Sequence, residues 1–306
     1  MERWNLSSDE NIEFVVNSSP NMRFSGNFAN KYSLITLEGN IMYIKGFSPS
    51  KLNTFDECEQ KFRYKYVHYL GEDYNEGLSK DALQFGSYIH KILEDGVDSE
   101  SVEELKEHGL RLRNSYHFKG REEDILKCIK NFFAFNAKIT KSISTEMRFK
   151  VEVLPDLEVN GIIDRVVEGE PGHFLVIDYK TSKREKTKRE LYTDPQLMIY
   201  AAAIAKMYKC DIRSVTVAHY YPLTNNLVTI KYLPSHISNF LRRVDEKKWR
   251  IRKKKTTDFK PRVNQFCDWC GYKGLCPKFG GSEMLLQEAI KKKSLNKQSG
   301  NKGQRQ

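Results

Sequence analysis

The stretch "GIIDRVVEGEPGHFLVIDYKTSK", residues 161–183, holds the side chains best suited to chemistry. In "FLVIDYK" successive side chains point to opposite faces of a strand, so Asp178 and Lys180 share one face and Tyr179 takes the other. A carboxylate and an ammonium at the end of an apolar strand are costly to bury without a task. Asp164 lies in the preceding strand, and hairpin pairing would bring it near Asp178. Two carboxylates at that separation repel unless a cation sits between them, and oxygen ligands favour Mg2+ or Mn2+. Lys180 would then orient a metal-bound water and stabilise charge developing on a phosphate. Taken alone, Asp-x-Lys is an ordinary strand-end ion pair. What distinguishes it here is the ordered series that continues through Gln196 and Tyr200, four apart and so on one face of the next helix.

A second group is "CDWCGYKGLC", with Cys267, Cys270 and Cys276. A closed structural site takes four ligands, so one is missing locally. The chain has six cysteines, the others being Cys58, Cys128 and Cys210. Cys128 and Cys210 fall in or at the end of helical patterns and read as ordinary residues. Four thiolates suit either Zn2+ or a [4Fe–4S] cluster, and spacing alone does not choose.

The elements that must position these groups follow from periodicity. "FSPSKLNTFDECEQKFRYKYV" reads as one helix, capped by Ser48 with Pro49 at its first position and Leu52, Phe55, Cys58, Phe62 and Tyr66 on one face. "LQFGSYIHKILEDG" is a second helix, followed by a more polar helical region to about Thr140. The period then switches to two: "EMRFKVEV", "LEVNGIIDRVV" and "HFLVIDYK" are strands, with Glu146 and Glu152 on the solvent side of the first. "TDPQLMIYAAAIAKMYK" is a helix capped by Asp194, "SVTVAHYYPL" and "NLVTIKYL" are strands, and a basic helix runs from about Ser235 to Lys254. This order predicts a mixed α/β sheet flanked by helices, with a helical insert before it.

Composition narrows the class. The chain has 306 residues, 39% of them hydrophobic, enough for a sizeable core. No apolar run is long enough for a membrane helix, and "MERWNLSSDENIEF" lacks the apolar segment of a secretory signal. A soluble, cytoplasmic protein is expected, where clustered thiols bind metal rather than pair as disulfides. The net charge is +11; residues 242–262 carry eleven Lys/Arg against three acids, and residues 282–306 six against two, leaving a nearly neutral body. One concentrated basic segment on a neutral body predicts a polyanion partner, nucleic acid above all, with Arg250 and Lys253 as backbone contacts.

These pieces together resemble the PD-(D/E)XK nuclease superfamily, in its RecB-like branch, which includes the nuclease domains of RecB and AddB and the iron–sulfur CRISPR-associated exonucleases. The likeness covers roughly residues 47–278. It rests on "SPSKLNTFDECEQKFRYKYV", "FGSYIHKILE", "GIIDRV", "VIDYKTSK", "QLMIY" and "CDWCGYKGLCP", in the order found in that branch. The resemblance implies a restriction-endonuclease-like fold. It implies His90, Asp164, Asp178 and the Tyr179 carbonyl as ligands of Mg2+ or Mn2+, and Lys180 as the catalytic lysine. Gln196 and Tyr200 would contact DNA or orient the active site, and Gly86 would let its helix approach a neighbour. It also implies Cys58 as the remote fourth ligand, on the inner face of the opening helix, giving a [4Fe–4S] cluster with Cys267, Cys270 and Cys276 that ties the domain's two ends together. Zn2+ is the alternative, and Trp269 and Tyr272 would shield the group.

The expected organisation is a β-rich extension over 1–46, a nuclease domain over 47–281 closed by the cysteines, and a basic, disordered tail over 282–306. The expected function is metal-dependent exonucleolytic cleavage of single-stranded DNA or duplex ends, in recombination, repair or CRISPR adaptation. The alternatives are a non-catalytic DNA-end-binding module of the same fold, or a zinc-stabilised endonuclease. No Gly-x-x-x-x-Gly-Lys-Ser/Thr motif occurs, so a helicase, recombinase or CRISPR adaptation protein would be a separate partner.

Overall fold

The structure is a computed structural model that describes residues 44, 46–72, 78–139 and 142–300, the side chains of 78–80 and 296–300 excepted. The β-rich extension expected over 1–46 therefore lies outside the described residues, except for positions 44 and 46.

Five strands form one sheet in the order β1 (Ser142–Leu154), β2 (Leu157–Glu168), β3 (Phe174–Tyr179), β4 (Val215–Tyr221) and β5 (Asn226–Lys231). Only β3 and β4 pair in parallel; the other neighbours are antiparallel. This is the mixed sheet that the sequence predicts. The parallel pair needs a crossover, supplied by α6 (Lys188–Leu191) and α7 (Pro195–Tyr208). Asp194 caps α7 by accepting from the Gln196 and Leu197 N–H groups. Leu197 to Ala205 are all buried, because α7 is apolar on every side and lies between sheet and helices, with Ala201, Ala202 and Ala203 permitting close approach.

One core fills the α7 face of the sheet, with α1 (Pro49–Glu57) and α8 (Pro234–Arg252) completing it. A second fills the other face, under the insert formed by α3 (Leu78–Asp95), α4 (Val102–Leu112) and α5 (Glu122–Asn136). Among the described residues no helix is long and apolar enough to cross a membrane.

Two expectations fail locally. The opening segment is not one helix: it breaks at Cys58, whose φ of −161° and ψ of 113° are extended. It resumes as α2 (Glu59–Phe62) and a π-helical turn, Arg63–Val67. The cause is a competing partner. The Gln60 N–H donates to the Lys260 carbonyl, Arg262 Nη1 to the Asp56 carbonyl, and Asn264 Nδ2 to the Glu57 carbonyl. Segment 260–264 thus takes the polar groups that a continuous helix would have used. The tail is not disordered over Glu283–Gly300, which form α9. Leu286 is buried against Tyr64, Leu70 and Tyr272, and Arg63 donates through both Nη atoms to the Glu283 carboxylate. Leu286, Ala289 and Ile290 and this pair give the polar tail something to fold onto.

Candidate active site

The chemistry gathers where β2 and β3 part. The two strands pair from Glu168↔Phe174 only as far as Arg165↔Ile177. Beyond that point the Asp164 carboxylate stands in for a ladder carbonyl: its Oδ2 accepts the Tyr179 N–H at 2.6 Å. β2 runs on, paired with β1 and, at Val159, bridged in parallel by Phe47. Asp164 is thereby fixed by β3 itself, at the rim of the gap between the strands.

Asp178 and Lys180 project on one side, as period two requires. Lys180 Nζ lies 2.6 Å from Asp178 Oδ2. Gln196, the second residue of α7, joins both: its Oε1 accepts from Lys180 Nζ at 3.0 Å and its Nε2 donates to Asp178 Oδ1 at 2.8 Å. The same Nε2 donates to Tyr200 Oη, which donates in turn to the Ile162 carbonyl. Gln196 and Tyr200 therefore form a frame that orients the acid and the lysine; Tyr200 is buried and has no surface for a DNA strand. Gly161 makes room for this frame. A Cβ there would fall 2.8 Å from the Phe149 ring, which packs edge-on against Tyr200.

His90 reaches the site from α3, with Nδ1 3.4 Å from Asp164 Oδ2. Gly86, one turn earlier, faces the loop after β3; a Cβ there would meet Thr181 Oγ1 at 3.3 Å, so the close approach is to that loop.

The electrostatics are those of a crowded, dry site. Burial pushes the Asp178 carboxyl up to about 6, against the pull of Lys180. Burial pulls the Lys180 ammonium down, but the charge of Asp178 and its contact outweigh that and hold it above its ordinary value. For His90, too, burial is outweighed, by Asp164 and Asp178, so its affinity for a proton rises. A cation would relieve this repulsion between acids.

The donor set fits a hard divalent ion. Asp164 and Asp178 supply carboxylates, Tyr179 a carbonyl and His90 an imidazole. The Asp178 carboxylate, in a residue only 2% exposed, has Lys180 Nζ 2.6 Å from its Oδ2, so a cation already sits where a divalent ion would. Among the described residues no three His, Cys, Asp or Glu side chains are drawn into a closed ligand set. The acids turn instead to the donors at hand, Lys180, Gln196 and the Tyr179 N–H.

Three residues here are not evident from sequence. His219 on β4 pairs in register with Asp178 and is fully buried, its Nε2 3.6 Å from Asp178 Oδ2 and 3.9 Å from Asp194 Oδ2. Burial and the nearby Lys180 lower its pKa to about 4. Asp194 caps α7 and also pairs with Lys186 at 2.7 Å, so it holds the turn that carries Gln196. Glu146, expected to face solvent, is half-buried and has a left-handed backbone, φ 48°. Burial, then the charges of Asp164 and Glu94, push its carboxyl up. The alternation in "EMRFKVEV" puts Glu146 on the wet face, but it could not reveal the left-handed turn that alters its setting. Glu152 is exposed as expected, its Oε1 accepting the Asp156 N–H at 2.7 Å.

Cys58, Cys267, Cys270 and Cys276 line one solvent-open cavity, with Tyr64, Arg262, Phe266 and Tyr272 around them. Cys58 sits at the helix break rather than on a helix face, and its Sγ accepts the Arg262 N–H at 3.5 Å. Tyr272 is buried, its hydroxyl donating to the Leu70 carbonyl. Trp269 is 57% exposed and does not shield the cavity, because its short 3-10 turn, Cys267–Trp269, leaves it on the outer side. Cys128 is buried in the insert core. Convergence of four thiols on one cavity fits a soft-ligand metal or cluster.

The basic helix divides in two. Lys248 and Arg252 are buried and pair with Asp156 at the β1–β2 turn, and Lys247 pairs with Asp56. Lys248 and Arg252 hold α8 to the sheet, and Lys247 holds it to α1. Arg250 and Lys253 are exposed, Arg250 with Glu59 as a distant acid at 4.0 Å.

Among curated proteins, an ATP-dependent helicase/deoxyribonuclease component from Streptococcus agalactiae is 28% identical over 181 residues, 52% of this chain and 16% of that protein. The protein of the same name from Streptococcus uberis is 30% identical over 153 residues, 44% of this chain and 14% of that one. The chain thus spans less than a fifth of the length of either. A solved structure titled a putative exonuclease from Eubacterium rectale aligns with a TM-score of 0.46 and 16% identity, over 74% of this chain and 87% of that one. The profile of the PD-(D/E)XK nuclease superfamily matches residues 46–277, from the strand bridge at Phe47 through the acids, the lysine and the last cysteine. A match over that much of the sequence establishes that the chain belongs to the PD-(D/E)XK nuclease superfamily.

Proposed function

We propose that this chain is a RecB-like, divalent-cation-dependent deoxyribonuclease that acts as an exonuclease on single-stranded DNA or duplex ends. One observation carries the reading: the Gln196 amide bridges Lys180 and Asp178 in a buried site with Asp164 and His90 at its rim. A frame this specific keeps a cation ligand and a positive charge in fixed relation, which hydrolysis of a phosphodiester needs.

Mg2+ or Mn2+, held by Asp164, Asp178, the Tyr179 carbonyl and His90, would polarise the phosphate and lower the pKa of a bound water. Lys180 faces the same space and stabilises negative charge as water oxygen adds to phosphorus and the bond to the leaving oxygen breaks. Gln196, itself held by Tyr200, fixes the paired Lys180 and Asp178 in one orientation. Arg250 and Lys253, exposed cations of the basic segment, bind the DNA backbone.

The four cysteines fit a [4Fe–4S] cluster, with Zn2+ as the alternative. Its role would be mechanical, since Cys58 lies 209 positions before Cys267. The names of the Streptococcus relatives suggest a separate helicase as partner, in DNA recombination or repair.

The test uses end-labelled single- and double-stranded DNA with Mn2+. Wild type should release short products from ends, and Lys180→Ala should lose at least ~100-fold in rate. If wild type cuts no faster than Lys180→Ala, the chain is instead a DNA-end-binding module.

A further inference from the structure

Strand β1 brings a carboxylate to the acid site that the mechanism above does not use. The pairs Thr145↔Arg165 and Met147↔Ile163 flank Glu146 and Asp164, which by that register face each other although they are not themselves a ladder pair. Residues facing each other in this way have Cβ atoms roughly 4.5–5.5 Å apart. The register runs through Glu146 without a shift, yet its φ is 48°. A left-handed glutamate inside a continuous ladder is uncommon, since only Gly, Asn and Asp adopt that conformation readily.

We propose that Glu146 is a third carboxylate of the divalent-cation site, set beside Asp164 from the neighbouring strand. This rests on the cation-dependent reading given above. Two further observations support it. Glu146 is half-buried, and its carboxylate makes no hydrogen bond or ion pair among the described residues. Asp164, Glu94, His90 and Arg148 all act on it electrostatically, so it lies close to Asp164 and His90.

Glu152, six residues along the same strand, shows what a structural glutamate does here: it accepts a backbone N–H and caps the hairpin. Glu146 caps nothing among the described residues. Mg2+ and Mn2+ take several oxygen ligands and keep waters, so a third carboxylate would engage the ion directly or through one of those waters.

The experiment measures Mn2+ binding to the full chain, by the loss of the free-ion electron paramagnetic resonance signal and by calorimetry. Wild type, Glu146→Gln, Glu146→Gly and Asp164→Asn are compared. Glu146→Gln keeps size; Glu146→Gly removes both the acid and the conformational cost, so it guards against a folding defect. Both Glu146 variants should bind Mn2+ ~10-fold more weakly with an unchanged or raised melting temperature, and Asp164→Asn should lose binding. If both bind as wild type does while Asp164→Asn does not bind, Glu146 is no part of the site and the nuclease reading stands. If wild type itself binds no Mn2+, the cation-dependent reading fails and this proposal with it.

Discussion

The acid–lysine site and the cysteine cavity lie in one chain but are built in opposite ways. The first is assembled from interior elements: two strands, a helix buried from Leu197 to Ala205 and one contact from α3. Its polar groups are already bound to one another, through Gln196 and the Tyr179 N–H. The second is made of short 3-10 turns over 267–279 with no buried residue of their own, held to α1 and α2 by a few hydrogen bonds and by Tyr64 and Tyr272. The fold itself organises the first region. The second rests on few such contacts, and its four thiols line one cavity. A structural metal or cluster is worth most where the protein provides least packing of its own.

That contrast is most open to attack at Cys58. A crosslink closing a loop of this length contributes about 5 kcal/mol in the chain-entropy model. Cys58→Ala should therefore lower the melting temperature by roughly 10–20 °C and remove metal from the protein. Cys128→Ala, in the insert core, should keep its metal. Full metal content in Cys58→Ala with loss in Cys128→Ala would falsify the assignment. Cleavage by residual folded protein should persist, because no cysteine touches the acid site.

The acid site should respond in the reverse sense. Gln196→Ala removes the bridge between Lys180 and Asp178 but no ligand and no charge. A loss of about 10–100-fold in cleavage rate is expected, with DNA affinity little changed, as for a residue that positions others. Its melting temperature should stay within a few degrees of wild type. A stability loss as large as that of Cys58→Ala would mean that Gln196 is structural and that the two regions do not differ as described.

How far each region can be read in sequence follows from the same contrast. Asp178, Lys180, Gln196 and Tyr200 are spaced by two and by four, and periods of strand and helix bring them together without knowledge of anything remote. Asp164 needs only a hairpin. His219 is harder: "VTVAHYYPL" reads as a plain buried strand, and its pairing with Asp178 depends on a parallel crossover whose register no local pattern sets. The break at Cys58 is hidden because its cause, residues 260–264, is two hundred positions away. Leu52, Phe55 and Phe62 keep helical spacing across it, since α1 and α2 bury the same face. The helix α9 is hidden for a like reason: residues 282–306 are polar by composition, and only the buried Arg63 and Tyr64 make Glu283 and Leu286 into contacts.

Arg63 offers a smaller test on the cysteine side. Its guanidinium is buried while Glu283 is more than half exposed, so the pair is worth only about 1 kcal/mol. Arg63→Ala should lower the melting temperature by ~2–4 °C and make α9 the first segment cut in limited proteolysis. No change in DNA cleavage is expected.

The smallest effect is on pH, and it belongs to the acid site. His219 titrates near 4 in the folded chain, below its ordinary 6.5, so the unfolded chain holds that proton more tightly. Its contribution to stability is complete above 6.5 and is lost as pH falls towards 4. Asp178 runs the other way. Its folded value of about 6 exceeds the ordinary 3.8, so the protonated folded form is favoured, and that contribution is lost as pH rises through 6. Between pH 4 and 6 the two oppose each other, and the metal-free wild type should change little on their account. In Asp178→Asn the His219 contribution stands alone, so thermal unfolding of that variant should drop more steeply than wild type as pH is lowered from 6.5 to 4. Parallel curves for the two proteins would mean that the paired burial of His219 and Asp178 is not what sets the proton balance of this site.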